Sequence, residues 1–459
     1  MVAWVYLVLT VLAGSGAAHG DEIAAKGVAE KTVAAKTVAA KSVAEKTVAA
    51  KTVELSAAEE RIVAWIDARQ DAMLAELKRY VEINTGSGNI EGINRFRGNL
   101  AAELQKLGFA TREYASEPVA VLTCDGGEVS FANHLLATKT GSSPRRIFLN
   151  GHMDTVFPPD DEFQTLTVES DGTLHGPGVL DMKGGIVVML SALRALQAEG
   201  RLKEANVTVL LNSDEEIGSL SSRPLVEELA RGHDVGLVFE GTQNNRMTRA
   251  RKGLGQARLR VTGRESHAGA AHQEGVSANL ELAHKVVAIE ALTDYDRRIT
   301  VNVGVMQGGE KRNTVPGCAD AFVDLRYPTA EEGDYLKTSI EAIAAAPDTG
   351  NPAYPDLPRI ELWSTLHRPV KPPHPVVDEL IAEVMGLSRL IGEPVEGSFF
   401  SGGGTDGSIA QAAGLPTLDT LGLDGSGGHS SRERSSLQSL LARAKLAAVM
   451  IGRQIDRGE

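Results

Sequence analysis

Residues 207–216 read Val-Thr-Val-Leu-Leu-Asn-Ser-Asp-Glu-Glu, a short apolar run that stops on Asp214, Glu215 and Glu216. A continuous run of Val and Leu indicates a strand buried on both faces of a parallel sheet. Three consecutive carboxylates where such a strand ends are costly unless something neutralises them, and metal cations are the usual answer. Working outward, the chain supplies partners at similar strand ends. Residues 143–151 (SPRRIFLNG) lead into His152-Met153-Asp154, and Gly176-Pro177-Gly178 leads into Asp181. Residues 235–239 (VGLVF) end on Glu240, and a glycine-rich loop ends on His429. Two histidines and several carboxylates, spread over separate strand ends, read as a dinuclear metal site. Ligands of open α/β sheets gather beyond the carboxyl ends of the strands, where all of these residues fall.

The surrounding pattern predicts the fold. Ser56-Ala57-Ala58-Glu59 has the form of a capping box, opening a helix over 56–81, and a second helix covers 92–107. Strands are expected at 119–123, 147–150, 207–212 and 236–239, with helices at 183–197 and 219–229. This alternation predicts an α/β domain built on a mainly parallel sheet with helices on both faces. Residues 256–261, 299–306, 320–327 and 359–364 alternate like antiparallel strands, with helices at 277–290 and 331–345. They form an α+β sandwich inserted into the first domain. Helices at 375–390 and 437–455 complete the chain. The expected division is 1–20, 21–55, 56–250, 251–366 (the insert) and 367–459.

Composition sets limits. The net charge of -13 leaves no basic face for phosphates and argues against a nucleic-acid partner. Arg246, Arg249, Arg251 and Lys252 form the local exception. The only cysteines, Cys124 and Cys318, are too few for a disulfide framework and read as buried apolar residues. Residues 2–13 (VAWVYLVLTVLA) are apolar and span ~18 Å as a helix, short of the ~30 Å of a bilayer core. They read as a secretory signal over 1–20, with a cleavage site at Ala18-His19-Gly20, although no Lys or Arg precedes them. Residues 24–53 are six copies of a five-residue unit, AAKGV, AEKTV, AAKTV, AAKSV, AEKTV and AAKTV. A period of five makes the valines spiral round a helix, so 21–55 reads as a solvated spacer.

His152 and Asp154, at i and i+2 past a strand, leave it on one side. His152 can ligate a metal while Asp154 holds its other ring nitrogen. Taken alone, His-x-Asp is a polar turn and Asp181 a helix N-cap. Glu215 and Glu216 are adjacent and cannot share one role. One can bind metal while its neighbour faces water as general base.

The motifs HMDTV (152–156), GPGVLDMKGG (176–185), NSDEEIGS (212–219), VFEGT (238–242) and GGHSSRE (427–433) occur in the order and spacing of the M20 metallopeptidases. The resemblance runs from about Ala58 to the C-terminus and is strongest to the glutamate carboxypeptidase branch. It implies a zinc-dependent exopeptidase fold whose insert is a dimerisation domain. His152 and Glu240 would hold one Zn2+, Glu216 and His429 the other, with Asp181 bridging and Glu215 as catalytic base. Co2+ or Mn2+ could serve the same ligands. His267, in Ser266-His267-Ala268-Gly269, resembles the histidine that reaches the active site of the other copy in a homodimer and stabilises the oxyanion.

The resemblance further implies hydrolysis of the amide bond to a C-terminal amino acid, by water bridging two zinc ions. Arg368 resembles the residue that grips the substrate's α-carboxylate, with Asn313 assisting. Gly403 and Thr405, in a loop over 401–406, would face the substrate. The lysine that reads a glutamate side chain in the branch falls here on Thr248, leaving Arg249, Arg251 or Lys252 to replace it. Arg326 reads as paired to a carboxylate within the insert. The expected partners are a small peptide or an N-acyl amino acid, the latter if the chain is an N-acyl amino acid deacylase.

Overall fold

The computed structural model describes residues 48–120 and 128–457. The signal segment, all but the end of the pentapeptide array, and Cys124 lie outside them.

Six strands form the central sheet, in the order Ala110–Tyr114, His134–Lys139, Asn206–Asn212, Arg146–His152, Val235–Val238 and Thr417–Leu418. The last four run parallel, and the first two are antiparallel to their neighbours. The two middle strands are buried along nearly their whole length, which is why they carry apolar runs rather than alternation. Alternate residues still serve opposite faces. Ile147, Leu149, Val207 and Val209 join the larger core with the helices Lys183–Ala198, Pro375–Ile391 and Leu437–Asp456. Phe148 and Leu210 pack on the other face against Leu225 and Ile409, from the helices Arg223–Arg231 and Asp406–Ala412.

Register sets the site. His152 pairs with Asn212 and Asn150 with Val238, so three strands end at one level and deliver His152, the acidic triplet and Glu240 together.

Several expectations change. The strand expected at 119–123 is a hairpin of Val119–Ala120 with Glu128–Val129, outside the main sheet. The helix expected over 56–81 keeps its capping box but is two helices, Ala57–Asp67 and Gln70–Val81. The break falls at Arg69, whose backbone leaves the helical region (φ -125°, ψ 17°), and whose guanidinium lies 3.7 Å from the Trp65 ring centroid and caps Trp65 O at 3.0 Å. The helix expected from 219 starts at Arg223, because Asp214 Oδ2 accepts the Ser221 and Ser222 N–H groups at 2.6 and 3.1 Å and holds a turn there.

Residues 253–368 carry a second sheet, ordered Thr300–Gly308, Cys318–Tyr327, Gly253–Thr262 and Arg359–Arg368, all antiparallel. The helices Ala278–Glu290 and Ala330–Ala344 pack with it around a separate core that includes Leu259, Leu282, Val323 and Leu336. Cys318 opens its strand in an exposed position, so it is not the buried apolar residue expected.

The described packing begins at Val48, within the stretch read as spacer. Val48, Ala50, Val53 and Leu55 lie half-buried against the main core. Lys51 N donates to Ala382 O at 2.9 Å, and Arg453 Nη2 donates to Glu54 O at 2.7 Å. This crossing explains a glycine in mid-helix, since a Cβ on Gly386 would sit 2.2 Å from Lys51 O. In a bare helix Gly386→Ala would stabilise by about 1 kcal/mol. In the full chain it is expected to lower Tm instead, by displacing the segment. Thermal denaturation with and without residues 1–53 checks this, since the sign should reverse on truncation.

Candidate metal centre

Asp181 lies between two histidines. His152 Nε2 is 3.1 Å from Asp181 Oδ1, and His429 Nε2 is 3.1 Å from Asp181 Oδ2. Glu240 Oε1 approaches His152 Nε2 at 3.6 Å, and Glu216 Oε2 approaches His429 Nε2 at 3.1 Å. Two groups able to hold a cation result, His152–Asp181–Glu240 and Asp181–Glu216–His429, sharing Asp181. All five residues proposed as ligands are thus brought together.

The surroundings prepare the ligands. His152 Nδ1 faces the main-chain oxygen of Asp154 at 3.0 Å, with Asp154 Oδ1 at 3.4 Å. Both are acceptors, so Nδ1 carries a proton, and Nε2, which faces Asp181 and Glu240, is the ring nitrogen left to meet a cation. Asp154 is fully buried and does more than orient His152. Its two oxygens accept the N–H groups of Glu215 and Glu216, each at 3.2 Å, and Ser87 Oγ donates to it at 2.8 Å. His429 adopts a left-handed backbone (φ 61°) after Gly427 (φ 78°), a strained conformation of the kind that persists at functional sites.

Electrostatics test whether the residues fit a cation. Burial, with Asp181 nearby, pushes Glu240 up to about 8 despite His152, and burial likewise lifts Glu216 well above the usual carboxylate range. Hydrogen bonds donated to Asp181 and Glu216 raise His429 to about 11. Glu216 Oε1 is buried without a hydrogen-bond partner among the described residues. Two buried glutamates that resist ionisation, two histidines aimed at one aspartate and an orphaned oxygen fit divalent cations.

Glu215 lies beside this centre, and Arg368, 3% exposed, pairs with it. Arg368 Nη1 meets Glu215 Oε1, while Nη2 donates to Glu215 O at 2.8 Å and Ser219 Oγ at 3.2 Å. The residue proposed to grip a substrate carboxylate is therefore engaged with the residue proposed as base. His267 and Asn313 lie at a small two-stranded sheet of the insert, Ser266–His267 with Thr314–Val315, and Ala268 N donates to Asn313 O at 2.9 Å. Neither lines the clefts at the centre. His267 Nδ1 accepts from Gly269 and Ala270 N–H, both at 3.1 Å, which leaves Nε2 as the donor.

One cleft of ≈ 320 Å³ is lined by Asp181, Glu240, Arg251, Gly403, Thr405 and His429. A wider one of ≈ 580 Å³ runs from Glu215, Glu216 and His429 to Asn302, Arg326 and His367 of the insert. Of the four basic residues singled out, Arg249 is committed to Asp378 at 2.6 and 2.8 Å, and Arg246 lies over Phe399. Arg251 Nε binds Asp419 Oδ2 at 2.6 Å and Nη1 donates to Gly403 O at 3.2 Å, while Nη2 bonds to nothing among the described residues. Lys252 has no anionic partner there, and burial and the neighbouring Arg298 and Arg326 lower it. Arg326 pairs with Asp324 at 2.7 Å. Thr405 Oγ1 is taken up by Asp419 Oδ2 at 3.0 Å.

Sequence reasoning missed Asp406, Asp419 and Glu433. Asp406 is buried, accepts from Asn212 Nδ2 at 2.8 Å and from Ser219, and is lifted to about 6 by burial and by Glu215. Asp406 and Glu433 stand inside motifs already quoted, but only the fold shows what their carboxylates hold.

A centre of this construction, at the carboxyl ends of parallel strands, places the protein among metal-dependent hydrolases. The chain belongs to peptidase family M20/M25/M40, whose model matches residues 148–453. It is 30% identical over 388 residues to carboxypeptidase G2 of Pseudomonas sp. (strain RS-16), covering 83% of this chain and 89% of that one. It is 35% identical over 238 residues to acetylornithine deacetylase of Myxococcus xanthus, covering 48% of this chain and 60% of the relative. Among solved structures, the M20 family metallo-carboxypeptidase Sso-CP2 from Sulfolobus solfataricus has a TM-score of 0.67 at 16% identity, over 84% of this chain and 99% of that one. At that identity the likeness concerns the fold alone.

Proposed function

We propose that the protein is a dizinc carboxypeptidase that releases an acidic C-terminal residue, glutamate first, from a small peptide or N-acyl amino acid. The observation that carries this reading is Arg251, a buried arginine with an unused N–H in a cleft whose acidic side chains are Asp181, Glu215 and Glu240. Such a group has use for an anionic part of the substrate. The match to carboxypeptidase G2 over most of both chains supports it.

In this reading His152 and Glu240 hold one cation, Glu216 and His429 the other, and Asp181 both. When bound, the cations supply Lewis acidity to the scissile carbonyl and acidify water. Glu215 takes the proton of the attacking water and passes it to the leaving nitrogen. Asp154 fixes the backbone of both glutamates and the tautomer of His152, so base and ligand keep their spacing. His267, supplied by a second copy in a homodimer, donates Nε2–H to the tetrahedral oxyanion. Arg368 turns from Glu215 to the substrate's α-carboxylate, with Asn313 assisting. Residues 1–20 direct export, and the chain works outside the cytoplasm.

Release of Glu, Asp, Leu and Ala from matched acylated substrates tests the specificity. Arg251→Met is expected to lower kcat/KM for C-terminal Glu by about tenfold or more and to leave Leu little changed, in line with ~1.5–3 kcal/mol for a hydrogen bond to a charged group. Equal rates for all four residues in the parent enzyme would remove the acidic-residue reading. A second reading, N-acyl amino acid deacylase, is favoured by the acetylornithine deacetylase match. Faster hydrolysis of N-acetyl amino acids than of dipeptides would establish it instead.

A further inference from the structure

Glu433 ends the motif GGHSSRE, four residues after His429. Its side chain is fully buried, and both oxygens are spent on one loop. Oε1 accepts the N–H groups of Leu180 at 2.7 Å and Asp181 at 3.0 Å, and Oε2 accepts that of Gly178 at 3.2 Å. Its main-chain oxygen accepts from Gly176 N at 3.4 Å. Four N–H groups of the loop that ends on Asp181 therefore converge on one residue. On its own side, Glu433 N donates to Ser430 O at 3.0 Å, closing a turn over 430–433 directly after His429.

The placement is electrostatically expensive. Burial pushes Glu433 up to about 7, against the pull of the three N–H groups. Lys183, also buried and lowered by burial to about 7, is spent on Ile83 O at 2.7 Å and forms no ion pair with Glu433. A carboxylate in such a place needs a reason, and the reason lies in its partners. Every group it meets is a donor, so the side chain must be acceptor-only. Glutamine would turn its NH2 toward the N–H of Gly178, or toward those of Leu180 and Asp181.

We propose that Glu433 is a positioning residue for the metal centre, fixing Asp181 from behind and, through the turn over 430–433 that directly follows His429, fixing that histidine against it. Both residues belong to the Asp181–Glu216–His429 position, whereas the other position contains only one of them. Loss of Glu433 therefore weakens the two positions unequally. This inference rests on the dinuclear reading above.

Zinc titration of the chelator-stripped full chain, in competition with a metallochromic dye, tests it in parent, Glu433→Gln and Glu433→Asp proteins. The parent should take up two equivalents. Glu433→Gln should keep the first and bind the second about 10–100-fold more weakly, the usual cost of losing an outer partner of a metal ligand. Its kcat should fall at limiting zinc and recover with excess zinc, with KM unchanged. Glu433→Asp keeps the charge but loses reach, and should fall between the two. This variant also supplies the measurement if Glu433→Gln does not fold. A purely structural residue would lower Tm while leaving both affinities at parent values, and that result overturns the proposal. A parent that binds fewer than two equivalents overturns the dinuclear reading beneath it.

Discussion

Glu215→Gln enzyme should bind metal as the parent does and turn over about 10²–10⁴-fold more slowly, the range that a positioned general base contributes. The change is nearly isosteric, and the amide oxygen can still accept from Arg368. The backbone of Glu215 stays anchored on Asp154, and Glu216 on the same carboxylate through its own N–H. Geometry and ligand set are thereby held while the capacity to take a proton is removed. Metal content by atomic emission, beside kcat on one acylated glutamate, checks both halves of the expectation. Turnover within a factor of ten of the parent would mean that another residue takes the proton. Loss of metal would mean that Glu215 is a ligand, and that the roles of the two glutamates must be exchanged.

Asp181→Asn should have a comparable effect for a different reason. Asp181 is the one residue common to both cation-holding groups, with one oxygen toward each histidine. Asparagine offers a single acceptor oxygen and turns an NH2 toward the other position. Both positions should therefore weaken together, with activity lost about 10³-fold or more, since both the Lewis acid and the acidified water disappear. His429→Ala is the matched control. It removes a ligand from one position only and should leave one equivalent bound. Equal metal loss in the two variants would contradict a shared Asp181.

Much of the centre was legible because metal ligands are constrained twice, by residue type and by place in a sheet. His152, Asp181, Glu216, Glu240 and His429 all follow apolar strands or glycine turns, and such contrasts survive in a single sequence. The carboxylates that hold backbone N–H groups leave no such trace. Asp406, Asp419 and Glu433 look like ordinary polar residues of loops until the donors around them are seen. The strand Ala110–Tyr114 was passed over for a related reason. As an edge strand exposed along much of its length, it carries a polar sequence, ATREY, rather than an apolar run. The helix over 56–81 has the right period but no visible stop, because the break falls at Arg69, with a side-chain cap on Trp65 O, rather than at a glycine or proline. Val48 to Leu55 could not be assigned to the fold from a repeat whose other copies are nearly identical. Only Gly386, in the middle of a distant helix, hinted that another backbone had to pass.

The shared aspartate also imposes a chronology. His152, Asp181 and Glu240 all precede the second sheet in the chain, whereas His429 follows it and is held near Asp181 by Glu433. The core beneath the first three is closed by the helices Pro375–Ile391 and Leu437–Asp456, which also follow the second sheet, and Asp181 itself hangs on Glu433. A domain folds as a unit, so neither position is complete until the C-terminal residues have been made. Cations would then seat in the finished fold, and activity would begin only with the arrival of the end of the chain.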